Sequence, residues 1–298
     1  MRILVALDQH PYSNHAVREA AKLAMNTWAD VTLLGVCHKI AKSQQSKERS
    51  AQGVIEHPVT KALGNHRKEF LGYFQGKDSP YNTQKSKNEF VEVKRHMWEE
   101  APAGRGAIKD LKMRIRQGNP AKAILAESLE EGSDLIVIGC DKDRKCLWEN
   151  AANVPQKIAN DAACSVLVVK EEEAKEVDRI VCCLDHDRVS QESLEMINQM
   201  VTLHQAELEI VGLTDGEGLR AEVEKKIELI LKYYTARQIV PLIKLVEISA
   251  LESFVSQEAQ RSLMALWMGE KSMLEKLFPP RKVGKLIRTS QSSVLILR

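Results

Sequence analysis

The chain is predicted to be an α/β protein made of two tandem domains, each a doubly wound parallel sheet covered by helices on both faces. Three features of the sequence support this. Short apolar runs without alternation, Arg2 to Leu7, Asp30 to Cys37, Asp134 to Gly139 and Ser165 to Val169, are too short for helices and have the character of strands buried on both faces. Segments with helical apolar spacing lie between them, so strands and helices alternate. The second half of the chain then repeats the first.

Arg2 to Leu7 is the first strand and ends at Asp8. Ser13 or Asn14 is placed to cap the next helix, whose apolar stripe is Ala16, Val17, Ala20, Ala21, Leu23 and Ala24. Asp30 to Cys37 is the second strand. Leu111 to Arg116 alternates as a half-covered strand does, and Gly118-Asn119-Pro120 supplies a cap followed by proline at the first helical position. Ala121, Ile124, Leu125 and Leu129 are the expected buried face of that helix. Asp134 to Gly139, a polar loop, a helix over Asn153 to Asp161 and a strand over Ser165 to Val169 complete a βαβ unit. The loop leaving its first strand lies at the carboxyl edge, where open α/β sheets take ligands.

One constant offset relates Asp8 to Asp185, Ser13 to Ser190 and Gly35 to Gly212; a smaller one relates Ile124 to Phe254, Ile136 to Leu266 and Gly139 to Gly269. The first copy therefore carries roughly 47 residues that the second lacks, between its second and third strands. Domain boundaries fall at residues 1–172 and 176–298, with the insertion within about 41–106 and the charged run Glu171 to Val177 as linker. The insertion holds Phe70, Tyr73, Phe74, Tyr81, Phe90 and Trp98, more aromatic content than a disordered loop carries. A helix is expected near His66 to Phe74, and a flexible polar stretch over Lys77 to Asn88. The insertion either covers the ligand edge, docks a partner or is a mobile loop.

Hydrophobic residues make up 44% and charged residues 28% of the chain, with a formal net charge of +2. Near-balanced charge gives no reason to expect nucleic acid or an anionic membrane as partner. No run reaches the roughly 20 apolar residues of a membrane span, and the N-terminal apolar run is too short for a signal segment, so a cytoplasmic location is expected. The six cysteines lack Cys-x-x-Cys spacing, and several fall in strands where a reduced thiol acts as a small hydrophobe. No Ser/His/Asp set, phosphate-cradling Walker loop or paired-carboxylate signature is present, and the expectation is a protein without enzymatic activity.

Val-Ala-Leu-Asp8, Gly-Asn-Pro120, Leu-Ile-Val-Ile-Gly139 and Ser-Val-Leu-Val-Val169 together resemble the universal stress protein family, whose fold is of the adenine nucleotide alpha hydrolase type. The resemblance covers nearly the whole chain as a tandem pair, the insertion excepted. In that family the strand-end glycine opens a Gly-x-x-Gly loop that closes on Gly and Ser or Thr, a pattern that implies a bound adenine nucleotide. Here Gly139 is kept, Lys142 stands for the second glycine, and Ala152-Asn153 stand for the Gly-Ser pair. The second copy departs further, with Gly269, Ser272, Lys282 and Val283 at the corresponding places and Pro279-Pro280 between them. Side chains therefore stand where a phosphate needs bare amides, and a degenerate nucleotide loop with no cofactor is expected.

If a nucleotide does bind, ATP or AMP in the first copy, the resemblance implies Asp8, Val36, Gly139, Lys142 and Asn153 as its site, with Asn153 capping the helix. Competing structural roles are loop capping for Asp8 and Asp185, strand packing for Val36 and a solvated cationic loop for Lys142, Arg144 and Lys145. Cys37, His38, Cys140, Cys146 and His10 all fall near strand ends, which leaves a thiol or metal sensor as a further alternative. The family's closing strand is a dimerisation edge, so Ser165 to Val169 and Ser293 to Leu297 are expected to join the copies as a pseudo-dimer. A homodimer and an unidentified protein are the expected partners.

Overall fold

Every residue from Ile3 to Leu7 is buried because their strand, β1 (Arg2–Leu7), has a parallel neighbour on each side. The computed structural model describes residues 1–37, 57–74, 79–82, 89–101, 107–141, 148, 151–170, 177–184, 189–214, 221–269 and 272–298. The chain divides into two units, Met1–Glu171 and Glu172–Arg298.

The first unit continues with α1 (Tyr12–Thr27), β2 (Asp30–Cys37), α2 (Pro58–Gly72), β3 (Phe90–Lys94), β4 (Met97–Glu100), β5 (Leu111–Gln117), α3 (Pro120–Glu131), β6 (Leu135–Cys140), α4 (Val154–Asp161) and β7 (Ser165–Lys170). Its strand order is β7-β6-β1-β2-β5-β4-β3, parallel from β7 through β5 and antiparallel over the hairpin of β3 and β4. Helices α1 and α2 pack together, as do α3 and α4, and right-handed crossovers put the two pairs on opposite faces. The sheet is thus doubly wound, with its order reversing at β1 and β6.

The apolar stripe of α1 is buried as its spacing predicts, but neither Ser13 nor Asn14 caps it. Pro11 already has helical backbone angles (φ −58°, ψ −32°), so the helix starts ahead of Ser13, with no side-chain cap. In α3 the Asn119 side chain accepts from the Lys122 amide at 3.2 Å, as expected. Its buried face differs, however: Leu129 is 74% exposed and Glu127 is fully buried. The cause is β5. Arg114 donates to Glu127 (2.7 Å), Glu131 (2.5 Å) and Glu99 of β4 (2.6 Å), and Arg116 pairs with Glu127 and with Glu130 at 2.8 Å. Two guanidiniums pull the acidic side of α3 inward and displace its leucine to solvent, since a buried charge must be paired.

Part of the 41–106 segment is core. Val59, Leu63 and Phe70 of α2 are buried, and a β-carbon on Gly35 would lie 2.5 Å from Val59 Cγ2, so β2 has glycine where α2 sits closest. Phe70, Phe74 and Tyr81 pack ring against ring at 4.9–5.3 Å, and the Tyr81 hydroxyl donates to the Ala29 carbonyl at 2.5 Å. The hairpin then lays Trp98 opposite Ile115 along the outer edge of β5. The mobile-loop reading does not hold for these residues. Most of Lys77 to Asn88 lies outside the described residues, although Tyr81 is buried.

The second unit comprises β8 (Arg179–Cys183), α5 (Gln191–His204), β9 (Glu207–Thr214), α6 (Ala221–Thr235), β10 (Leu242–Glu247), α7 (Leu251–Glu258), β11 (Leu263–Trp267), α8 (Met273–Leu277), α9 (Pro280–Thr289) and β12 (Val294–Leu297). Its strands run β10-β9-β8-β11-β12, all parallel. Arg179 at the start of β8 holds Glu209 at 3.1 Å and Glu258 at 2.5 Å. Among the described residues no helix is long and apolar enough to cross a membrane.

Candidate functional site

The carboxyl ends of β1 and β6, where the strand order of the first unit reverses, are where an open α/β sheet offers a ligand crevice. Asp8 follows β1 directly and is buried. Its carboxylate is fully engaged inside the chain. The Tyr12 hydroxyl donates to Oδ2, while the Ser13 hydroxyl at 2.8 Å and the His10 amide at 2.9 Å donate to Oδ1. The Asp8 amide in turn donates to Ser13 Oγ at 3.0 Å. Burial pushes the carboxyl above its ordinary value, with the Tyr12, His10 and Ser13 donors pulling back.

Tyr12 reaches Asp8 by lying across the strand ends. A β-carbon on Gly139 would come within 2.5 Å of the Tyr12 carbonyl oxygen and 2.7 Å of its Cδ2. The strand-end glycine therefore makes room for a tyrosine of the same chain. Tyr12 is only 3% exposed, and His10 stacks on its ring at 5.3 Å. Tyr12 and His10 thus lie at the carboxyl ends of β1 and β6.

An open cleft of about 530 Å³ lies beside it, lined among others by His10, Asn14, Lys61, Asn65, His66 and Glu69. It adjoins Asp8 through His66, whose Nε2 lies 3.1 Å from the Asp8 carbonyl oxygen. Burial pushes the Glu69 carboxyl up, against the opposing charges of His66 and Arg18.

A family model of the universal stress protein family matches residues 1–170. The chain belongs to the universal stress protein family. Solved structures agree in fold. A universal stress protein from Archaeoglobus fulgidus DSM 4304 aligns over 100% of this chain and 96% of its own, at 14% identity and TM-score 0.53. A functionally unknown protein from Pseudomonas aeruginosa PAO1 aligns over 99% and 92%, at 14% identity and TM-score 0.56. At such identities the likeness is one of fold alone. No curated protein matches the sequence.

Within this universal stress protein, the residues expected around a nucleotide are placed as follows. Asp8 and Gly139 come together through Tyr12. Val36 is buried in β2, where it packs as a strand residue beside Arg116 of β5. Lys142 lies outside the described residues, as do Asp185, His38 and Cys146. Asn153 is not the expected cap. Its backbone is left-handed (φ 61°, ψ 30°) and its side chain makes no capping bond. A capping residue has an extended backbone, and the second helical residue here, Pro155, has no amide to offer.

The second unit has also used its corresponding positions. A β-carbon on Gly269 would meet Trp267 Cζ2 at 2.5 Å. Ser272 accepts from the Glu275 amide at 2.9 Å to cap α8, Lys282 pairs with Glu252 at 2.7 Å, and Val283 is buried in α9.

Among the described residues no three His, Cys, Asp or Glu side chains are grouped to hold a metal ion. Cys37, Cys164, Cys182 and Cys183 are thiols outside any disulfide. Burial pushes the Cys182 and Cys183 thiols up, so both act as strand core. Cys140 differs in being disulfide-bonded, and the Lys170 ammonium donates to its Sγ at 3.4 Å. Tyr12 was missed at the sequence level. Its signal is a tyrosine four residues beyond the strand-end acid, but only the distant Gly139 gives that spacing meaning.

Proposed function

We propose that this universal stress protein is a tandem, non-enzymatic regulatory module of the cytoplasm that works without a bound nucleotide and acts through a protein partner. The observation that carries the reading is the Tyr12 side chain, packed on Gly139 and bonded to Asp8, in the crevice where a nucleotide would enter. The decayed loop residues Ala152 and Asn153 point the same way, because neither offers the bare backbone or helix cap that a phosphate uses. Titration of the full chain with ATP·Mg by calorimetry is the direct test. No saturable binding is expected. Saturable binding that Asp8→Ala abolishes would establish the alternative, an ATP- or AMP-binding protein using Asp8, Gly139 and Asn153. Binding that persists in Asp8→Ala would place the ligand elsewhere, with the neighbouring cleft as the first place to probe.

A thiol sensor is the second reading, and one observation favours it. The disulfide-bonded Cys140 lies against the buried ammonium of Lys170, a cation that would favour a thiolate once the bond is reduced. Mass analysis of the native protein alkylated before and after a dithiol reductant tests it. Cys140 alkylated without reductant in protein purified under air would remove this reading.

A further inference from the structure

In the first unit the outer edge of β5 is closed by the chain itself. β2 aligns Gly35 with Ile115, and on the other side β4 sets Trp98 opposite Ile115, antiparallel. Ile115 is completely buried as a result. The second unit has the same arrangement up to that point, since β9 aligns Gly212 with Leu245 of β10. There the sheet order of the unit ends. Leu245 is 50% exposed, Leu242 55% and Ile243 37%.

Such an edge invites pairing, because among the described residues no strand lies beyond β10 and four of its six side chains, Leu242, Ile243, Leu245 and Val246, are apolar. The usual protection is a charge on the edge. Lys244 provides it only in part, since its side chain leans toward its own unit: its Nζ lies 3.7 Å from Glu209 and 4.7 Å from the ring centroid of Phe254.

We propose that β10 pairs antiparallel with β10 of a second copy of this chain, across a twofold axis normal to the sheet. The covered edge of β5 shows that this fold accepts an antiparallel strand at that position. A twofold axis normal to the sheet keeps each side chain on its own face, so only residues of equal parity meet. Centred on Leu245, the pairing sets Leu245 against its own copy, in the role that Trp98 plays for Ile115. Lys244 then faces Val246, and Ile243 faces Glu247, so no like charges are opposed. A formal charge of +2 on the whole chain offers little general repulsion to two copies. The pairing is independent of whether a nucleotide binds.

Sedimentation of the full-length chain over a concentration series tests this, together with hydrogen exchange of the Leu242–Glu247 amides. The wild type should be a dimer that dissociates on dilution, with protection of those amides rising with concentration. Leu245→Lys and Leu245→Glu should each be monomeric with an unchanged far-UV spectrum, since each sets like charges against each other at the axis. Their equimolar mixture should recover the dimer. The proposal is overturned by a wild type that is monomeric throughout or shows no concentration-dependent protection. It is equally overturned by a dimer that Leu245→Lys leaves intact, or by a mixture that stays monomeric.

Discussion

Tyr12 occupies the space that a side chain on residue 139 would need: its carbonyl oxygen is 2.5 Å, and its Cδ2 2.7 Å, from where a β-carbon of Gly139 would stand. Gly139→Ala must therefore move the start of α1 or distort β6. A loss of roughly 1–3 kcal/mol is expected from forced overpacking of this kind, read as a lower urea midpoint without a change in slope. An unchanged midpoint would mean that Tyr12 is not seated on β6.

Tyr12→Phe keeps the ring and removes the donor to Asp8. The carboxyl, already pushed up by burial, should rise further. A raised folded-state value favours the fold while Asp8 is protonated, and this contribution is lost as pH rises through that value. The variant should be less stable than wild type at neutral pH by about 1.5–3 kcal/mol, the range for a hydrogen bond to a charged group. The deficit should narrow on acidification through the Asp8 titration. Urea midpoints at neutral and acid pH measure both effects, and a deficit independent of pH would assign the loss to packing alone.

Phe70→Ala tests whether the segment between β2 and β5 is structural. Phe70 is wholly buried against Phe74 and Tyr81, and truncating such a ring costs about 3–5 kcal/mol. Excision of residues 41–106 should for the same reason abolish cooperative unfolding of the first unit, because α2 goes with it. Survival of a cooperative transition would return the segment to the status of an appendage.

Glu127 lies between Arg114 and Arg116 with no solvent exposure of its side chain. Glu127→Gln removes the buried carboxylate that both guanidiniums share, while Arg114 keeps Glu99 and Glu131 and Arg116 keeps Glu130. A cost of roughly 1.5–3 kcal/mol is expected, the range for a hydrogen bond to a charged group, whereas Glu130→Gln, at the exposed rim, should cost little. Equal effects of the two in thermal unfolding would show that the network is uniformly solvated.

These elements differ in how much of them the sequence betrays. Strands β1, β2, β6 and β7 are legible because burial on both faces demands unbroken apolar runs. The hairpin of β3 and β4 is not, since Phe90, Met97 and Trp98 sit among charged residues in a short edge element. Leu129 has correct helical spacing for the core and is still expelled, because spacing does not report the guanidiniums of β5. Asn153 has the chemistry of a cap but not the backbone for one. At the candidate site Asp8 and Gly139 are readable as residues, but what they touch is not: with Pro11 helical, α1 begins two or three residues early, and Tyr12 changes from loop residue to the side chain seated on Gly139.

Lys170 is 2% exposed, and burial brings its pKa down from 10.5 to about 8, with Asp141 opposing. A folded-state value below the unfolded one means that the unfolded chain binds the proton more tightly. Stability should therefore increase as pH rises from about 8 toward the ordinary lysine value, and be lowest below that window. Lys170→Met should be more stable than wild type at neutral pH and lack the alkaline rise. Parallel slopes for the two proteins across that window would show that Lys170 is solvated.

The tyrosine seated on Gly139 also bears on how such sequences are sorted by motif. A glycine at the end of β6 would ordinarily count toward a nucleotide fingerprint, yet here the same glycine is required by an internal aromatic ring. The pattern to look for is Asp8-Gln-His-Pro-Tyr12-Ser13 followed by a strand ending in Gly139: an acid, a helix-starting proline, and a tyrosine with serine directly behind it. In a homologue carrying all of these the glycine is expected to seat a tyrosine, and in one keeping the acid and glycine but with a small residue in place of the tyrosine it is expected to stand open. Glycine alone does not separate the two.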